Sequence, residues 1–107
     1  MRIIARRTLP DFVAANERKR DHQALKAAVG GWYVEAKQAV WSNMADVKRQ
    51  YTAASVVSAD RVVFNIKGNS YRLVVAIDFE RAIVFIKWIG SHAEYDKIDV
   101  RTIRHGR

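Results

Sequence analysis

The sequence contains no cysteine and only one proline among its 107 residues. Without cysteine, the chain has no disulfide, no zinc site built from thiolates and no thiol nucleophile. No apolar run approaches the roughly 18 residues that a membrane-spanning helix needs. Met1 is followed by a short stretch that arginines interrupt, whereas a secretory signal has an unbroken apolar region. These absences favour a cytoplasmic protein with no membrane partner.

Acidic residues are also few, because 11 Asp and Glu stand against 19 Lys and Arg. The formal net charge is +8 and the pI is about 10.2. A polyanion is therefore the leading class of partner, and nucleic acid comes first. Half of the residues are hydrophobic, so we expect one folded domain over residues 1–107 with one core.

The N-terminal half shows mainly helical patterns. "TLPD" predicts a helix start, since proline suits the first helical position and has no N–H to lose there. Apolar residues at 3.6-residue spacing predict a long second helix, and Ser42 or Asn43 is a suitable cap for a third. The expected elements are a strand over Arg2–Leu9 and helices over Pro10–Arg20, His22–Val40 and Asn43–Tyr51.

In the C-terminal half the periodicity changes to two, after a loop over residues 53–60. "KGNS" contains a Gly68-Asn69 pair that suits a hairpin turn with positive φ, and "ERA" is equally tight. Three antiparallel strands follow from this pattern: Arg61–Ile66, Tyr71–Phe79 and Ile83–Ile89. Helices first and sheet second predict an α+β fold, in which N-terminal helices pack on a small antiparallel sheet.

Strand alternation assigns side chains to the two faces of this sheet. The helix-covered face of the middle strand is predicted to carry Tyr71, Leu73, Val75, Ile77 and Phe79, and the open face Arg72, Val74, Ala76 and Asp78. In the last strand, Lys87 shares its parity with Ile83, Phe85 and Ile89, opposite to Val84, Ile86 and Trp88. Lys67 and Asn65 are expected beside Arg72. An open face with solvated cations is the plainer alternative.

After Gly90 the sequence "SHAEYD" gathers side chains that can move or hold protons. A helical turn would bring His92 close to Tyr95 and Asp96, three and four residues on. Imidazole acts as base or acid near neutral pH. The alternative is structural, with the Tyr95 ring packed and His92 closing the strand. The three histidines show no metal-ligand spacing, and we expect the last eleven residues to be solvated and mobile.

Two stretches, "RVVFNIKGNSYRLVVAI" and "FIKWIGSHAEYDKID", carry a resemblance to a known family. With them the sequence resembles the HigB toxins of bacterial toxin–antitoxin systems, within the wider RelE-like group, most strongly from Arg61 to Asp99. Ser91 stands where the family often has threonine, and Lys87 where arginine is frequent. The lysine keeps the charge but loses the fork that grips a phosphate with two hydrogen bonds.

The resemblance implies a ribonuclease that cleaves messenger RNA on the translating ribosome and is neutralised by a helix-turn-helix antitoxin. Neither a metal nor another cofactor is implied. The ribose 2′-hydroxyl would attack the adjacent phosphate, which requires a base, an acid and cations.

The predicted catalytic residues are Arg72, Lys87, His92 and Tyr95, with Lys67, Asn65, Asn69 and Asp96 as substrate-binding or supporting residues. Arg72 and Lys87 would hold the scissile phosphate, and Asp96 would orient His92. Which of His92 and Tyr95 is the base stays open. Two rivals remain: a non-catalytic basic module that binds RNA or the ribosome, and an interaction protein whose basic face binds an acidic partner.

Overall fold

The computed structural model describes residues 1–103, and its helices and strands form an α+β fold, as the sequence predicted. The elements in chain order are β1 (Arg2–Ile4), α1 (Thr8–Ala15), α2 (His22–Gln38), α3 (Met44–Gln50), β2 (Ser55–Val56), β3 (Arg61–Ile66), β4 (Tyr71–Asp78), β5 (Ile83–Ser91) and α4 (His92–Tyr95).

The strands form one sheet in the order β1-β5-β4-β3-β2. Strands β3, β4 and β5 make the expected antiparallel meander. Two short edge strands extend it: β1 pairs with β5 in parallel, and β2 pairs with β3 antiparallel. The sheet is therefore mixed, because β1 runs parallel to β5 while the other neighbouring strands are antiparallel. Strand β2 has only two residues, too few to show alternation in the sequence.

The helices begin close to their predicted positions, with one shift. Ala5 has φ of 63°, so the chain turns after Ile4 and α1 begins at Thr8, which makes Pro10 its third residue. α2 begins at His22 as predicted. The Asn43 side chain caps α3 by accepting a hydrogen bond from the Asp46 backbone N–H at 3.0 Å, which confirms one of the two predicted caps.

The main core lies between the helices and one face of the sheet. Tyr71, Leu73, Val75 and Ile77 belong to it and Phe79 packs at its margin, so the predicted face of β4 is confirmed. Phe64 lies at the centre of an aromatic group. The ring centroids of Trp32, Trp41 and Tyr51 are 5.4, 6.2 and 4.9 Å from that of Phe64.

The opposite face, called here the second face, is not open. Val63, Val74 and Trp88 are buried there under Tyr95 and a C-terminal segment, residues 97–103, whose contacts come from Ile98, Val100 and Ile103. Arg61 fixes this segment because its Nη1 donates to the carbonyl oxygens of Val100 and Ile103, each at 3.1 Å. The expectation of a solvated tail is wrong for residues 97–103, and residues 104–107 lie outside the described part.

A β-bulge in β5 changes the predicted parity. Val74 pairs with Trp88 while Val75 pairs with Ile86, which leaves Lys87 as an extra residue. An inserted residue reverses the alternation of everything after it. Trp88 therefore lies on the second face and Ile89 in the main core, opposite to the sequence prediction for both.

Candidate functional site

The turn between β3 and β4 forms one end of the second face. Lys67 and Gly68 have φ of 54° and 63°, so the left-handed residues lie one position earlier than the predicted Gly68-Asn69 pair. A lysine in this conformation costs about 1 kcal/mol. Its Nζ lies 3.5 Å from Asp21 Oδ2, at the start of α2. Lys67 therefore faces the helix side, and the prediction that it lies beside Arg72 is wrong.

Arg72 lies half-buried on the second face, next to this turn. Its Nη1 donates to Asn65 Oδ1 at 2.7 Å and also to Asn69 Oδ1. Both partners are uncharged amides, and no carboxylate of residues 1–103 forms an ion pair with Arg72. Within that range, Nε and Nη2 have no hydrogen-bond partner. The guanidinium is held in place while its charge and the three N–H groups of Nε and Nη2 are available to an anion.

Aromatic rings form the other side of the Arg72 environment. The guanidinium carbon lies 5.7 Å from the Tyr95 ring centroid, within cation–π range. The Tyr95 ring is 6.2 Å from that of Trp88. Gly90 is the residue paired with Arg72, and a Cβ at Gly90 would overlap the Trp88 ring. Glycine is required there because the indole lies flat against the backbone.

The helical turn α4 begins directly at the end of β5. Ser91 and Glu94 form a capping box: Ser91 Oγ accepts from the Glu94 N–H at 3.1 Å, and Glu94 Oε1 accepts from the Ser91 N–H at 2.8 Å. The His92 N–H donates to the Ser70 carbonyl oxygen at 3.0 Å. The hairpin turn and α4 are therefore joined, which places Arg72 and His92 at the same end of the sheet.

The two nitrogens of the His92 imidazole lie in different surroundings. Its Nδ1 is buried and has no hydrogen-bond partner within residues 1–103. Its Nε2 lies 3.9 Å from Asp96 Oδ2, the predicted partner. The His92 and Asp96 side chains are 41% and 67% exposed, so even a protonated imidazole and the carboxylate would attract each other by at most about 1 kcal/mol. Asp96 therefore approaches the nitrogen that a substrate would reach, and it does not brace the opposite nitrogen.

Lys87 lies apart from the group around Arg72. Its Nζ is 5.5 Å from the Phe85 ring centroid, on the side of Lys87 away from Gly90. Lys87 stands three residues before Gly90, so its backbone is roughly 10 Å further along the strand. The structure brings Arg72, Asn65, Asn69 and Tyr95 into contact, joins His92 and Asp96 to them through α4, and leaves Lys87 and Lys67 outside. The functional roles of these residues stay predictions.

A polar contact on the helix side supports the same turn. The Tyr71 hydroxyl donates to Asp21 Oδ2 at 3.0 Å and lies 3.2 Å from Oδ1. Desolvation acts to raise the pKa of Asp21, but the hydrogen bond from Tyr71 and the charge of Lys67 outweigh it, so this pKa is lowered. Desolvation and the neighbouring Asp21 raise the pKa of Tyr71. Asp21 thus anchors both ends of the hairpin loop to α2.

Sequence reasoning missed Gly90, Trp88, Glu94 and Asp21 as parts of the site's support. One signal was present: "SHAE" has the S-x-x-E spacing of a capping box, which marks the first turn of a helix. The contact between Asp21 and Tyr71 spans 50 residues, and no local pattern indicates it.

Within residues 1–103 there is no helix that combines the length and apolar character needed to cross a bilayer. In the same range, His, Asp and Glu side chains do not meet in any group of three or more that could hold a metal ion.

The α+β arrangement, with helices on one face of a small mixed sheet, is consistent with the fold of a RelE-like toxin. A family model described as HigB_toxin, the RelE-like toxic component of a toxin–antitoxin system, matches residues 25–98. The chain belongs to this HigB toxin family, and membership implies an antitoxin partner. A search of curated proteins found no match.

Proposed function

We propose that this protein is an endoribonuclease that cleaves messenger RNA, acting on the translating ribosome in the cytoplasm and restrained by a helix-turn-helix antitoxin. The observation that carries the proposal is that the Arg72 guanidinium is held in position without a carboxylate partner within residues 1–103. Asn65 and Asn69 hold the guanidinium by uncharged groups and Tyr95 supports it. An anion therefore meets an arginine already in position, whose charge no carboxylate of residues 1–103 neutralises.

The proposed reaction needs no metal ion. The ribose 2′-oxygen attacks the adjacent phosphorus, a new P–O2′ bond forms, and the bond from phosphorus to the 5′-oxygen breaks. The base takes the 2′-hydroxyl proton and the acid protonates the departing 5′-oxygen, which leaves a cyclic phosphate and a 5′-hydroxyl. Arg72 stabilises the charge that grows on the phosphate, and His92 and Tyr95 share the two proton transfers.

Asn65 and Asn69 act through Arg72 as positioning residues in this proposal. Lys87 lies further along the same face, so we assign it to a neighbouring phosphate of the bound RNA and expect Lys87→Ala to weaken binding more than the chemical step. Asp96 would compete with substrate for His92 Nε2, since it approaches the exposed nitrogen.

The test compares RNA binding with single-turnover cleavage in purified variants, with and without EDTA. Arg72→Ala should slow cleavage by on the order of a hundredfold or more. His92→Ala and Tyr95→Phe should slow it by roughly a hundred- to ten-thousandfold with RNA affinity nearly unchanged. Arg81→Ala is the matched control, because Arg81 is an exposed arginine paired with Asp78 at the far end of β4.

Wild-type rates in both His92→Ala and Tyr95→Phe would contradict the acid–base assignment. A folded wild-type protein that binds RNA or ribosomes but leaves transcripts intact would contradict the ribonuclease proposal and favour the non-catalytic binding module.

A further inference from the structure

A groove of about 650 Å³ runs between α1 and α2, on the helix side of the sheet and away from Arg72. We call it the α1–α2 groove. Leu9, Val13 and Val29 form its floor, and all three are buried members of the main core. Pro10, Ala14 and Gly30 complete its walls. Because the floor residues are buried, the accessible apolar surface of the groove comes from its exposed walls, including Pro10 and Ala14, with the aliphatic floor beneath them.

No side chain or backbone of residues 1–103 requires a glycine at position 30. It lies in the middle of α2 with ordinary helical φ, and a Cβ placed on it would meet nothing within 4 Å. A glycine inside a helix costs about 1 kcal/mol relative to alanine. What the missing side chain does provide is room in the groove. One turn later Val34 is 52% exposed and extends the apolar surface along the same helix.

Cationic side chains surround this apolar surface. Arg6, Arg7 and Lys26 line the groove, against the single acid Glu17. None of the three cations forms an ion pair within residues 1–103. Such uncompensated charge around an apolar floor matches a partner of opposite charge.

Tyr33, at the end of the groove, also lies next to two cationic side chains. Arg6 Nη1 donates to the Tyr33 hydroxyl oxygen at 3.5 Å, and Lys37 Nζ lies 5.8 Å from the Tyr33 ring centroid. The hydrogen bond from Arg6 and the charge of Lys37 lower the pKa of Tyr33, against the effect of desolvation.

We propose that the α1–α2 groove binds an amphipathic helix of an acidic protein partner. The apolar residues of that helix lie between the exposed walls at Pro10, Ala14 and Gly30, and its carboxylates pair with Arg6, Arg7 and Lys26. An aliphatic floor suits leucine-like side chains of a helix in a groove, whereas single-stranded RNA is held mainly by stacking on aromatic rings. The proposal holds whether or not the second face cleaves RNA.

The probe is a fluorescein-labelled synthetic 18-residue peptide with leucine at helical spacing and glutamate elsewhere, measured by fluorescence anisotropy. Gly30→Leu fills the groove and should weaken binding by about tenfold or more. Gly31→Leu is its matched control, because a Cβ at Gly31 also meets nothing within 4 Å but Gly31 does not line the groove. Circular dichroism should show both variants folded, since each replaces a helical glycine.

Charge is tested with a second matched pair. Lys26→Glu should weaken binding by about tenfold, and Lys19→Glu, an exposed lysine outside the groove, should change it by less than about threefold. Equal losses in both would overturn the proposal in favour of attraction by net charge alone. So would equal binding of a peptide with the same composition but scrambled leucine positions.

Two further outcomes would also overturn it. If Gly30→Leu weakens binding of an RNA oligonucleotide and leaves the acidic peptide unaffected, the groove holds RNA. If the wild type elutes as a dimer in size-exclusion chromatography and Gly30→Leu as a monomer, the groove is occupied by a second copy of the chain.

Discussion

The two faces of the sheet are covered in different ways. On one face three helices and an aromatic group centred on Phe64 make a thick core. On the second face the described residues form a much smaller buried cluster, Val63, Val74 and Trp88, under α4 and the C-terminal segment, residues 97–103. Because this second cluster is small, Arg72 at the end of the sheet is only half-buried and its guanidinium stays in contact with solvent.

Two adjacent residues of β4 therefore face opposite sides of the sheet and make different contacts. Tyr71 points into the helix side and binds Asp21, while its neighbour Arg72 points to the second face and binds two asparagines. The helix face fixes the strand, and the second face presents Arg72 from that fixed position. The second face should consequently tolerate loss of packing better, yet respond more strongly in activity.

Two adjacent valines of β3 measure this difference directly. Val62 is 0% and Val63 2% exposed, and they lie on the helix face and the second face respectively. Val62→Ala should lower the free energy of unfolding by roughly 2 kcal/mol, from two lost methyl groups and a cavity that the helices cannot close. Val63→Ala should cost closer to 1 kcal/mol, because the C-terminal segment can move inward.

Urea denaturation with a common m-value gives both numbers. The pair also predicts a crossed result in single-turnover cleavage, where Val63→Ala should be the slower variant. If Val63→Ala costs as much stability as Val62→Ala, the C-terminal segment is as rigid a cover as the helices and the comparison fails.

The next prediction concerns the two hydrogen bonds by which Arg61 holds the C-terminal segment. Arg61→Ala removes both hydrogen bonds to Val100 and Ile103 and should cost about 1 kcal/mol. Amide hydrogen exchange should accelerate in residues 95–103 and stay unchanged in α2, because the loss is local. Arg49→Ala is the control: Arg49 is 73% exposed in an ion pair with Asp46, and its removal should cost at most about 0.5 kcal/mol. Uniform acceleration over the whole chain would show that the segment unfolds with the rest.

The sequence correctly predicted which face each side chain occupies in a regular strand. It failed where one extra residue interrupts the strand. β4 alternates without a break, so the faces of Tyr71 and Arg72 were predicted correctly. In β5 the bulge at Lys87 reverses the faces of Trp88 and Ile89, and a bulge depends on the pairing with the neighbouring strand. A period of two read along one strand cannot contain that information.

The sequence did not predict that the C-terminal segment packs on the sheet, because polar and charged residues lie between its apolar ones. Ile98, Val100 and Ile103 are separated by Asp99, Arg101 and Thr102, so the stretch has the composition of a solvated tail. Its apolar side chains find Val63 and Val74 only because the sheet presents a second apolar face. The site was predicted only in part. Asn65 and Arg72 meet through strand pairing, which the strand pattern indicates, while Lys67 turns away to Asp21, whose position depends on α2.

The smallest expected effect concerns pH and the anchoring of the hairpin on the helix side. The Asp21 pKa is lowered in the folded protein, so the contact with Tyr71 and Lys67 stabilises the fold fully above the unfolded pKa, at about pH 4. This contribution is lost as the pH falls through the lower folded pKa. Asp21→Asn keeps an oxygen that accepts from Tyr71 but removes the charge.

The urea midpoint of Asp21→Asn should therefore lie below that of the wild type at pH 7, and the two should converge as the pH falls towards 2. Asp11→Asn, which removes an exposed carboxylate from the first turn of α1, controls for the change in net charge. A difference between Asp21→Asn and wild type that stays constant from pH 7 to pH 2 would show that the carboxylate charge does not stabilise the hairpin. Tyr71 would then be held by an uncharged hydrogen bond and by packing, including its edge-to-face contact with Phe12, and the position of Arg72 would not depend on the charge of Asp21.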